Sequence, residues 1–310
     1  MARRLILYIL AAGTVFFWGA SFPLTSIALD YAGPMAVAFL RWAVAACVLL
    51  AFVLGRGKSG QVKDLLRRDL RSALWVGLTG ITCFYALQNL ALRYTSVVNA
   101  GVLANLTTVF MVLIGAWWLH ERLEGIQWAA IGIAFVGAVL VSQGASRMAL
   151  TGSSLLGDAM MILATLFAAI YSIAGKGLAD RGHSPDVVTA VVAGVGALLL
   201  LPLALWEGLD LALPWAAWGS LLVLGAGSGA LANLCWMYLL SRTEASRAAM
   251  ALLLIPVIST ALAVLLLHEP LPLVVLVGGA LVVAGVALVE QDARARESRA
   301  AWTAPRADTE

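Results

Sequence analysis

Charged residues are scarce in this chain. Asp, Glu, Lys and Arg make up 12% of its 310 residues, whereas hydrophobic residues make up 62%. Soluble globular domains usually carry about 25% charged residues. A water-soluble fold cannot bury this much apolar surface, so a lipid bilayer must cover the remainder. The sequence also lacks a basic patch interleaved with aromatics, which argues against a nucleic-acid partner despite the net charge of +3.

Cysteine and histidine are equally rare, with three of each. Cys47, Cys83 and Cys235 each lie inside an apolar run, no CxxC occurs, and no histidine is near enough in sequence to complete a metal site. A Walker A motif is also missing, which excludes ATP hydrolysis by this chain. We therefore expect neither a metal nor a cofactor, and we interpret the cysteines as small apolar fillers.

What the sequence does contain is ten apolar segments, each about long enough to cross a bilayer, which takes roughly 20 residues. Short breaks rich in Gly, Pro and charged residues separate them. The first segment is too long for the apolar part of a signal peptide. The predicted spans are 5–29, 34–54, 72–92, 97–119, 126–143, 155–175, 186–206, 215–240, 246–267 and 271–290. We predict an all-α membrane protein with ten transmembrane helices.

The two halves of the sequence share a pattern at an offset of 148 residues. His120-Glu121 follows the fourth span, and His268-Glu269 follows the ninth. Five crossings separate the two pairs, so they face opposite sides of the membrane. This pattern predicts two inverted five-helix repeats, 1–145 and 146–291, followed by a disordered cytoplasmic tail at 292–310. Inverted repeats of this kind are typical of transporters that bind substrate near the bilayer midplane.

Polar and aromatic side chains inside the spans are expected to face the bundle interior, because exposure to lipid is costly. Tyr85 and Gln88 share one face of the third span, and the 148-residue shift carries them to Asn233 and Trp236 in the eighth. We predict that these four line one central cavity from opposite repeats. The competing interpretation is hydrogen bonding between packed helices. The predicted cavity also takes one residue from each of the first, fourth and sixth spans: Trp18, Asn105 and Tyr171.

Four further residues are predicted to have gating or structural roles. Arg41 is the one charge well inside a span. It can pair with Asp30, extend to the interface, or hold a substrate carboxylate, and we favour a structural or gating role. Glu121 and Glu269 lie at helix ends where either can engage a neighbouring helix, and Pro256 is expected to kink the ninth span.

These motifs, taken in order, resemble the EamA-type branch of the drug/metabolite transporter superfamily, whose members are ten-helix carriers. The resemblance spans nearly the whole chain. It rests on Trp18-Gly19-Ala20-Ser21-Phe22, Arg41, Gly157-Asp158, Glu121, Pro256 and Glu269. It implies a secondary transporter of the bacterial inner membrane that exports small metabolites by alternating access. Within the family the chain is most similar to bacterial aromatic amino acid exporters, so amino acids, aromatic or of broad range, are the expected substrates.

An intramembrane hydrolase and a channel are the alternatives to a transporter. Ala226-Gly227-Ser228-Gly229 resembles the GxSG motif of rhomboid proteases but lacks its first glycine, and neither His-Glu pair continues as HExxH. We therefore expect no enzyme activity. The expected partners are a small-molecule substrate and the lipid bilayer. Close-packing glycines in the fifth and tenth spans also leave a homodimer open, and the coupling, proton antiport or facilitated diffusion, is equally open.

The distribution of positive charge predicts the orientation. With the N-terminus in the cytoplasm, 17 of the 20 Lys and Arg residues fall on the cytoplasmic side, two (Arg93 and Arg147) fall on the other side, and Arg41 lies within a span. Ten spans then return the C-terminus to the cytoplasm. Topology reporters fused after Arg68, after Arg181 and at the C-terminus should therefore all give cytoplasmic signals. A periplasmic signal at any of the three would contradict the ten-span arrangement.

Overall fold

The computed structural model describes residues 2–119, 125–146, 154–242, 252, 254–285 and 287–288, and secondary structure over these residues is entirely helical. The helices are α1 (Ala2–Leu29), α2 (Pro34–Gly55), α3 (Ser59–Arg68), α4 (Leu70–Ala91), α5 (Val97–Leu103), α6 (Leu106–Leu119), α7 (Gly125–Ser146), α8 (Ser154–Asp180), α9 (Pro185–Glu207), α10 (Trp215–Leu240), α11 (Ile255–Leu267) and α12 (Leu273–Gly285). Six of them, α1, α2, α4, α8, α9 and α10, are long and apolar enough to cross a membrane, and four shorter apolar helices lie at the other predicted spans. The predicted all-α fold of ten apolar helices is confirmed, whereas the short helix α3 was not predicted.

Helices α2 and α9 hold equivalent places in the two repeats and run antiparallel. Each begins with a proline at its first helical position, where the missing N–H costs nothing. Beyond the end of α2, Lys58 Nζ contacts the Asp186 carboxylate at the start of α9 (2.6 Å). At the end of α9, Glu207 Oε2 accepts the backbone N–H groups of Met35 and Ala36 (2.8 and 2.9 Å) at the start of α2. Equivalent helices that run in opposite directions are what inverted repeats require.

Helices α4 and α10 share a second sign of the duplication. Each contains a π-helical stretch, at Leu78–Cys83 in α4 and at Val223–Ala232 in α10. Adding the 148-residue offset to the first stretch gives 226–231, which lies inside the second. π-Helical stretches inside α-helices are frequent at functional sites. Gly80 lies in the first of them, and a Cβ there would stand 2.0 Å from the Tyr171 ring, so this close approach to α8 requires glycine.

The fourth span is broken by a turn at 104–105, which separates α5 from α6. The equivalent part of the ninth span is described at Leu252, which is helical, and again from Leu254 onward. Leu254 is a turn residue, and α11 begins immediately after it with Pro256 in its first turn. Pro256 therefore lies at the start of α11, where proline is tolerated, and not in the interior of that helix, where we expected it to cause a kink.

Several polar contacts join the helix ends on the side of the bundle that carries Glu207. Glu269 follows α11 and accepts the N–H groups of Val97 and Val98 (2.9 and 3.0 Å) at the start of α5. The Thr95 hydroxyl donates to Asp158 in α8. A helix N-terminus has N–H groups without intrahelical partners, and a carboxylate satisfies them with favourable charge. Glu121, the partner of Glu269 in the repeat, lies outside the described residues.

The opposite side of the bundle is joined by ion pairs between α3–α4 and the segment before α9. Asp69 lies between α3 and α4, and its carboxylate accepts from His183 Nε2 (2.8 Å) and from the Arg181 guanidinium. The hydrogen bond from His183, together with the nearby Arg181, holds the pKa of the Asp69 carboxyl below its usual range. The two repeats are therefore tied together at both ends of α2 and α9.

Gly137 in the fifth span and Gly285 in the tenth pack against backbone inside the chain, whereas a Cβ on Gly132 would meet no atom within 4 Å. A Cβ on Gly137 would stand 2.6 Å from the Gly278 carbonyl oxygen, and one on Gly285 would stand 2.6 Å from that of Ala130. The backbones of α7 and α12 thus approach closely, as small residues allow in membranes. Gly137 and Gly285 therefore pack within one protomer, and the possible homodimer stays a prediction.

The Glu207 contact is open to a stability test. Replacing Glu207 with Ala leaves two N–H groups at the start of α2 without their acceptor, and we expect a loss of about 1–2 kcal/mol. Thermal unfolding in detergent would report this as a fall in Tm of several degrees. Asp210→Ala is the matched control, because Asp210 bonds only the nearby Ala212 N–H (2.8 Å). Equal losses in the two variants would show that the contact between α9 and α2 contributes nothing.

Candidate functional site

One cavity of about 90 Å³ lies between helices from both repeats. Its lining comes from α1, α4, the α5–α6 break, α8, α10 and the segment that leads into α11. A cavity of this size holds several water molecules or part of a small solute. The lining residues are Trp18, Ser21, Phe22, Gly80, Phe84, Tyr85, Gln88, Ala104, Asn105, Thr107, Thr108, Ala168, Tyr171, Ser172, Asn233, Trp236, Leu252 and Ile255.

The structure brings all seven predicted cavity residues to this one space. The four side chains linked by the 148-residue offset, Tyr85 and Gln88 from α4 with Asn233 and Trp236 from α10, all line it. Trp18, Asn105 and Tyr171 complete the set from three further helices. The other gating or structural candidates lie elsewhere: Arg41 is one layer behind the lining, Pro256 faces an apolar groove beside α12, and Glu269 is at the helix ends.

A series of hydrogen bonds holds the polar groups that α10 contributes to the cavity wall. The Tyr171 hydroxyl donates to Asn233 Oδ1 (3.3 Å), and Asn233 Nδ2 donates to the carbonyl oxygens of Ser228 and Gly229 (2.9 and 3.1 Å). The Trp18 indole N–H also donates to the Ser228 carbonyl (3.3 Å). These carbonyls lie in the π-helical stretch of α10. The stretch is therefore held by side chains from α1 and from α10 itself.

Aromatic rings form the apolar part of the lining. The Trp18 and Trp236 ring centroids lie 5.5 Å apart. Tyr85 stands edge-on to Phe84 (4.6 Å) and to Trp42 behind it (5.1 Å). Tilted and edge-on pairs at these spacings are the favourable arrangements for aromatic side chains. The rings leave flat faces and edges toward the cavity, which suits an apolar or aromatic solute.

Four of the lining residues carry a buried polar atom that has no hydrogen-bond partner among the residues the structure describes. They are Gln88 Nε2, Asn105 Nδ2, Thr108 Oγ1 and Trp236 Nε1. Buried groups of this type are normally paired, because an unpaired one costs free energy in a low-dielectric interior. Other unpaired atoms, such as Trp42 Nε1 and Asn99 Nδ2, lie outside the lining, but these four give the cavity hydrogen-bonding capacity that a bound solute or water can use.

Arg41 is fully buried in α2, directly behind Tyr85. Its Cζ lies 4.4 Å from the Tyr85 ring centroid, and its guanidinium donates to Thr25 Oγ1 (3.3 Å) and to Ser228 Oγ (2.8 Å). A Cβ on Gly225 would stand 2.7 Å from the Arg41 carbonyl oxygen, so glycine lets α10 approach α2 at this level. The guanidinium neither reaches Asp30, which is exposed, nor extends to the interface.

Sequence reasoning missed Phe84, Ser172 and Gly80, which also line the cavity. Phe84 and Ser172 lie one position from the predicted Tyr85 and Tyr171, and the π-helical stretch makes the face of α4 wider than an α-helical period predicts. Nothing in the sequence around Gly80 indicates a position in a cavity wall, because it is one glycine in an apolar run. The sequence presents Ser228 as a possible hydrolase serine or as part of a run of small packing residues, and it gives no signal for the bond to Arg41.

A comparison with known proteins agrees with this architecture. The model of the EamA-like transporter family matches residues 5–143 and again residues 155–290. An uncharacterized transporter of Archaeoglobus fulgidus is 32% identical over 91% of this chain and 98% of its own length. A probable terminal-alkyne amino-acid exporter of Streptantibioticus cattleyicolor is 29% identical over 93% and 94% of the two chains. A probable amino-acid metabolite efflux pump of Salmonella typhimurium is 29% identical over 89% and 92%.

A crystal structure of a protein with 21% sequence identity superposes on 94% of this chain and 98% of its own, with a TM-score of 0.69. At that identity the likeness establishes the fold alone. The family match is stronger evidence, because it covers both halves of the sequence and therefore includes the duplication that the antiparallel α2 and α9 display. The chain belongs to the EamA-like transporter family, and it is a ten-helix membrane transporter built from two inverted repeats.

Proposed function

We propose that this transporter exports amino acids, aromatic or of broad range, by alternating access of the central cavity. The observation that carries the proposal is the lining itself, in which equivalent helices of the two repeats present aromatic rings and amides to one space. Substrate sites at a repeat interface are the expected arrangement for inverted-repeat transporters. Two relatives are named as an amino-acid exporter and an amino-acid metabolite efflux pump, which supports the substrate class.

The lining suits a zwitterion with an apolar or aromatic side chain. Stacking on Trp18, Tyr85 or Trp236 contributes roughly 0.5–1.5 kcal/mol. Hydrogen bonds from Gln88 and Asn105 contribute about 1 kcal/mol net each. Sums of this order correspond to millimolar dissociation constants, which fit an exporter that acts only when its substrate accumulates.

Within this proposal the protein lies in the bacterial inner membrane with both termini in the cytoplasm. That orientation puts Lys58, Asp69 and Asp186 on the cytoplasmic side and Glu207 and Glu269 on the periplasmic side. The Glu269 bonds to α5 then close the periplasmic side in this conformation, and they must open when substrate leaves. Glu121 is proposed to act in the same way at the cytoplasmic side.

The cavity assignment is tested by removing single rings. Tyr85→Ala and Trp236→Ala each delete one aromatic surface, and we expect an increase of about 3- to 10-fold in apparent KM for aromatic amino acids, or a changed substrate order, in proteoliposomes. Trp215→Ala is the matched control, because Trp215 is 89% exposed and faces away from the cavity. Unchanged transport in both cavity variants, with normal folding, would place the site elsewhere.

Cysteine labelling gives an independent measure of the same site. In a background without Cys47, Cys83 and Cys235, single cysteines at 85, 88, 233 and 236 should react with a small aqueous thiol reagent. Substrate should slow that reaction. A cysteine in place of Leu198, which is 69% exposed on the outer face of α9, should react slowly and without substrate protection. If all four positions are inaccessible from both sides, or are never protected, the cavity assignment is wrong.

Ser228 distinguishes the transporter from the hydrolase alternative. A hydrolytic serine needs a general base within hydrogen-bond reach. Ser228 Oγ instead accepts from Arg41, which stays protonated in proteins and cannot act as a base. Ser228→Ala removes one hydrogen bond but keeps the charge of Arg41, so we expect transport to remain within about 3-fold of wild type. Complete loss of activity in a well-folded Ser228→Ala variant would favour the hydrolase.

A further inference from the structure

Arg41 is the lone charged residue in the interior of the spans described. Of the acidic residues of these helices, Asp180, Asp186 and Glu207 lie in first or last turns. Asp158 is the fifth residue of α8, where it accepts a hydrogen bond from the Thr95 hydroxyl just before α5. Lys176 lies near the end of α8 and is half-buried. The middle of the bundle therefore holds a positive charge, and no acidic side chain lies there to match it.

The contacts of Arg41 do not neutralise this charge. Over the described residues, no carboxylate lies within the 4.0 Å of the guanidinium that defines an ion pair. Its partners are two hydroxyls, of Thr25 and Ser228, and the face of the Tyr85 ring, while Nε has no hydrogen-bond partner. Hydroxyl and ring dipoles orient around a cation but leave its net charge in place.

The charge lies next to the cavity. Tyr85 has Arg41 on one side and lines the cavity on the other, and Asn233, also in the lining, donates to the carbonyl of the serine that Arg41 bonds. In a poorly screened interior a charge acts across several ångströms. A cation over the ring also draws electron density from the phenol, which makes the Tyr85 hydroxyl a better donor.

The side chains that line the cavity, like Arg41, favour an anionic group over a cationic one. The lining contains neither Asp nor Glu, so no side chain there can pair with an ammonium group by charge. Three of its four unpaired polar atoms are N–H donors, on Gln88, Asn105 and Trp236. Such donors match a carboxylate, which offers acceptor oxygens only.

We propose that Arg41 sets the charge selectivity of this transporter, so that the cavity takes solutes bearing a carboxylate and rejects organic cations that lack one. The inference rests on the proposed function, because it names which part of an amino acid the site recognises. The carboxylate brings the counter-charge that the bundle interior lacks. The amino group is tolerated and not required.

Three probes with the same phenylethyl skeleton separate these contributions: L-phenylalanine, 3-phenylpropionate, which lacks the amino group, and 2-phenylethylamine, which lacks the carboxylate. The wild-type chain in proteoliposomes loaded with unlabelled L-phenylalanine takes up labelled L-phenylalanine by counterflow, and the other two compounds are added as competitors at pH 7. Competition does not depend on whether the competitors cross the lipid by themselves. Thermal stabilisation of the purified protein by each probe repeats the comparison without turnover.

We expect 3-phenylpropionate to compete at least about 10-fold more strongly than 2-phenylethylamine in the wild type. Arg41→Gln should bring the two to within about 3-fold of each other, mainly through weaker carboxylate binding. Arg41→Lys should keep the wild-type order, because the charge remains. Arg93→Gln is the matched control: Arg93 is exposed and bonds only the Ala32 carbonyl (3.0 Å), so its removal should leave the order unchanged.

Each contrary outcome has a distinct meaning. If 2-phenylethylamine competes as well as 3-phenylpropionate in the wild type, or if a folded Arg41→Gln variant keeps the wild-type ratio, Arg41 does not set selectivity, while L-phenylalanine counterflow leaves the proposed function standing. Absence of wild-type counterflow with L-phenylalanine refutes the proposed function, and this inference with it. If Arg41→Gln does not fold, the ratios in the wild type and in Arg41→Lys decide.

Discussion

Hydrocarbon offers no hydrogen-bond partners, and this constraint decides where the polar groups of the chain lie. Each unsatisfied backbone or side-chain group in the bilayer costs several kcal/mol. The described helices therefore place carboxylates at their ends, where Glu207 and Glu269 satisfy the free N–H groups of α2 and α5. Several polar side chains away from the ends line one cavity, and four of the lining residues carry an unpaired polar atom. Under the proposed function, a bound solute pairs with these atoms.

The same constraint explains why Arg41 stands apart from the other charges. A charge at the centre of a membrane protein is rare and is normally paired. Arg41 is surrounded by Thr25, Ser228 and Tyr85, and close packing of α10 on α2 at Gly225 brings Ser228 within reach. Three helices thus converge on one guanidinium, which links the stability of the repeat interface to the electrostatics of the cavity.

Hydropathy predicted the helices, because lipid enforces an apolar pattern over the whole sequence. The 148-residue offset selected four of the seven residues proposed to bind substrate, and all seven line the cavity. They could not predict the π-helical stretches in α4 and α10, since widening of a helix depends on local packing such as that of Gly80 against Tyr171. They also could not predict the partners of Arg41 and Glu269, because Ser228 and Val97 are distant in sequence and carry no pattern of their own. Pro256 was expected inside a helix and lies at the start of one, because hydropathy does not report a break within an apolar run.

The α2–α9 pair is joined by polar contacts at both ends, whereas most helices around the cavity contain irregular backbone. Helices α2 and α9 are joined through Lys58 and Asp186 at one end and through Glu207 at the other, so sliding of either helix would break charged contacts. The cavity lining comes instead largely from helices that contain π-helical stretches or breaks. At these places backbone hydrogen bonds can rearrange, as they otherwise do at a proline. Under the proposed alternating access, we expect conformational change in α4, α5–α6, α10 and α11 more than in the α2–α9 pair. Arg41 lies in α2 and Tyr85 in α4, so their contact joins these two groups of helices beside the cavity.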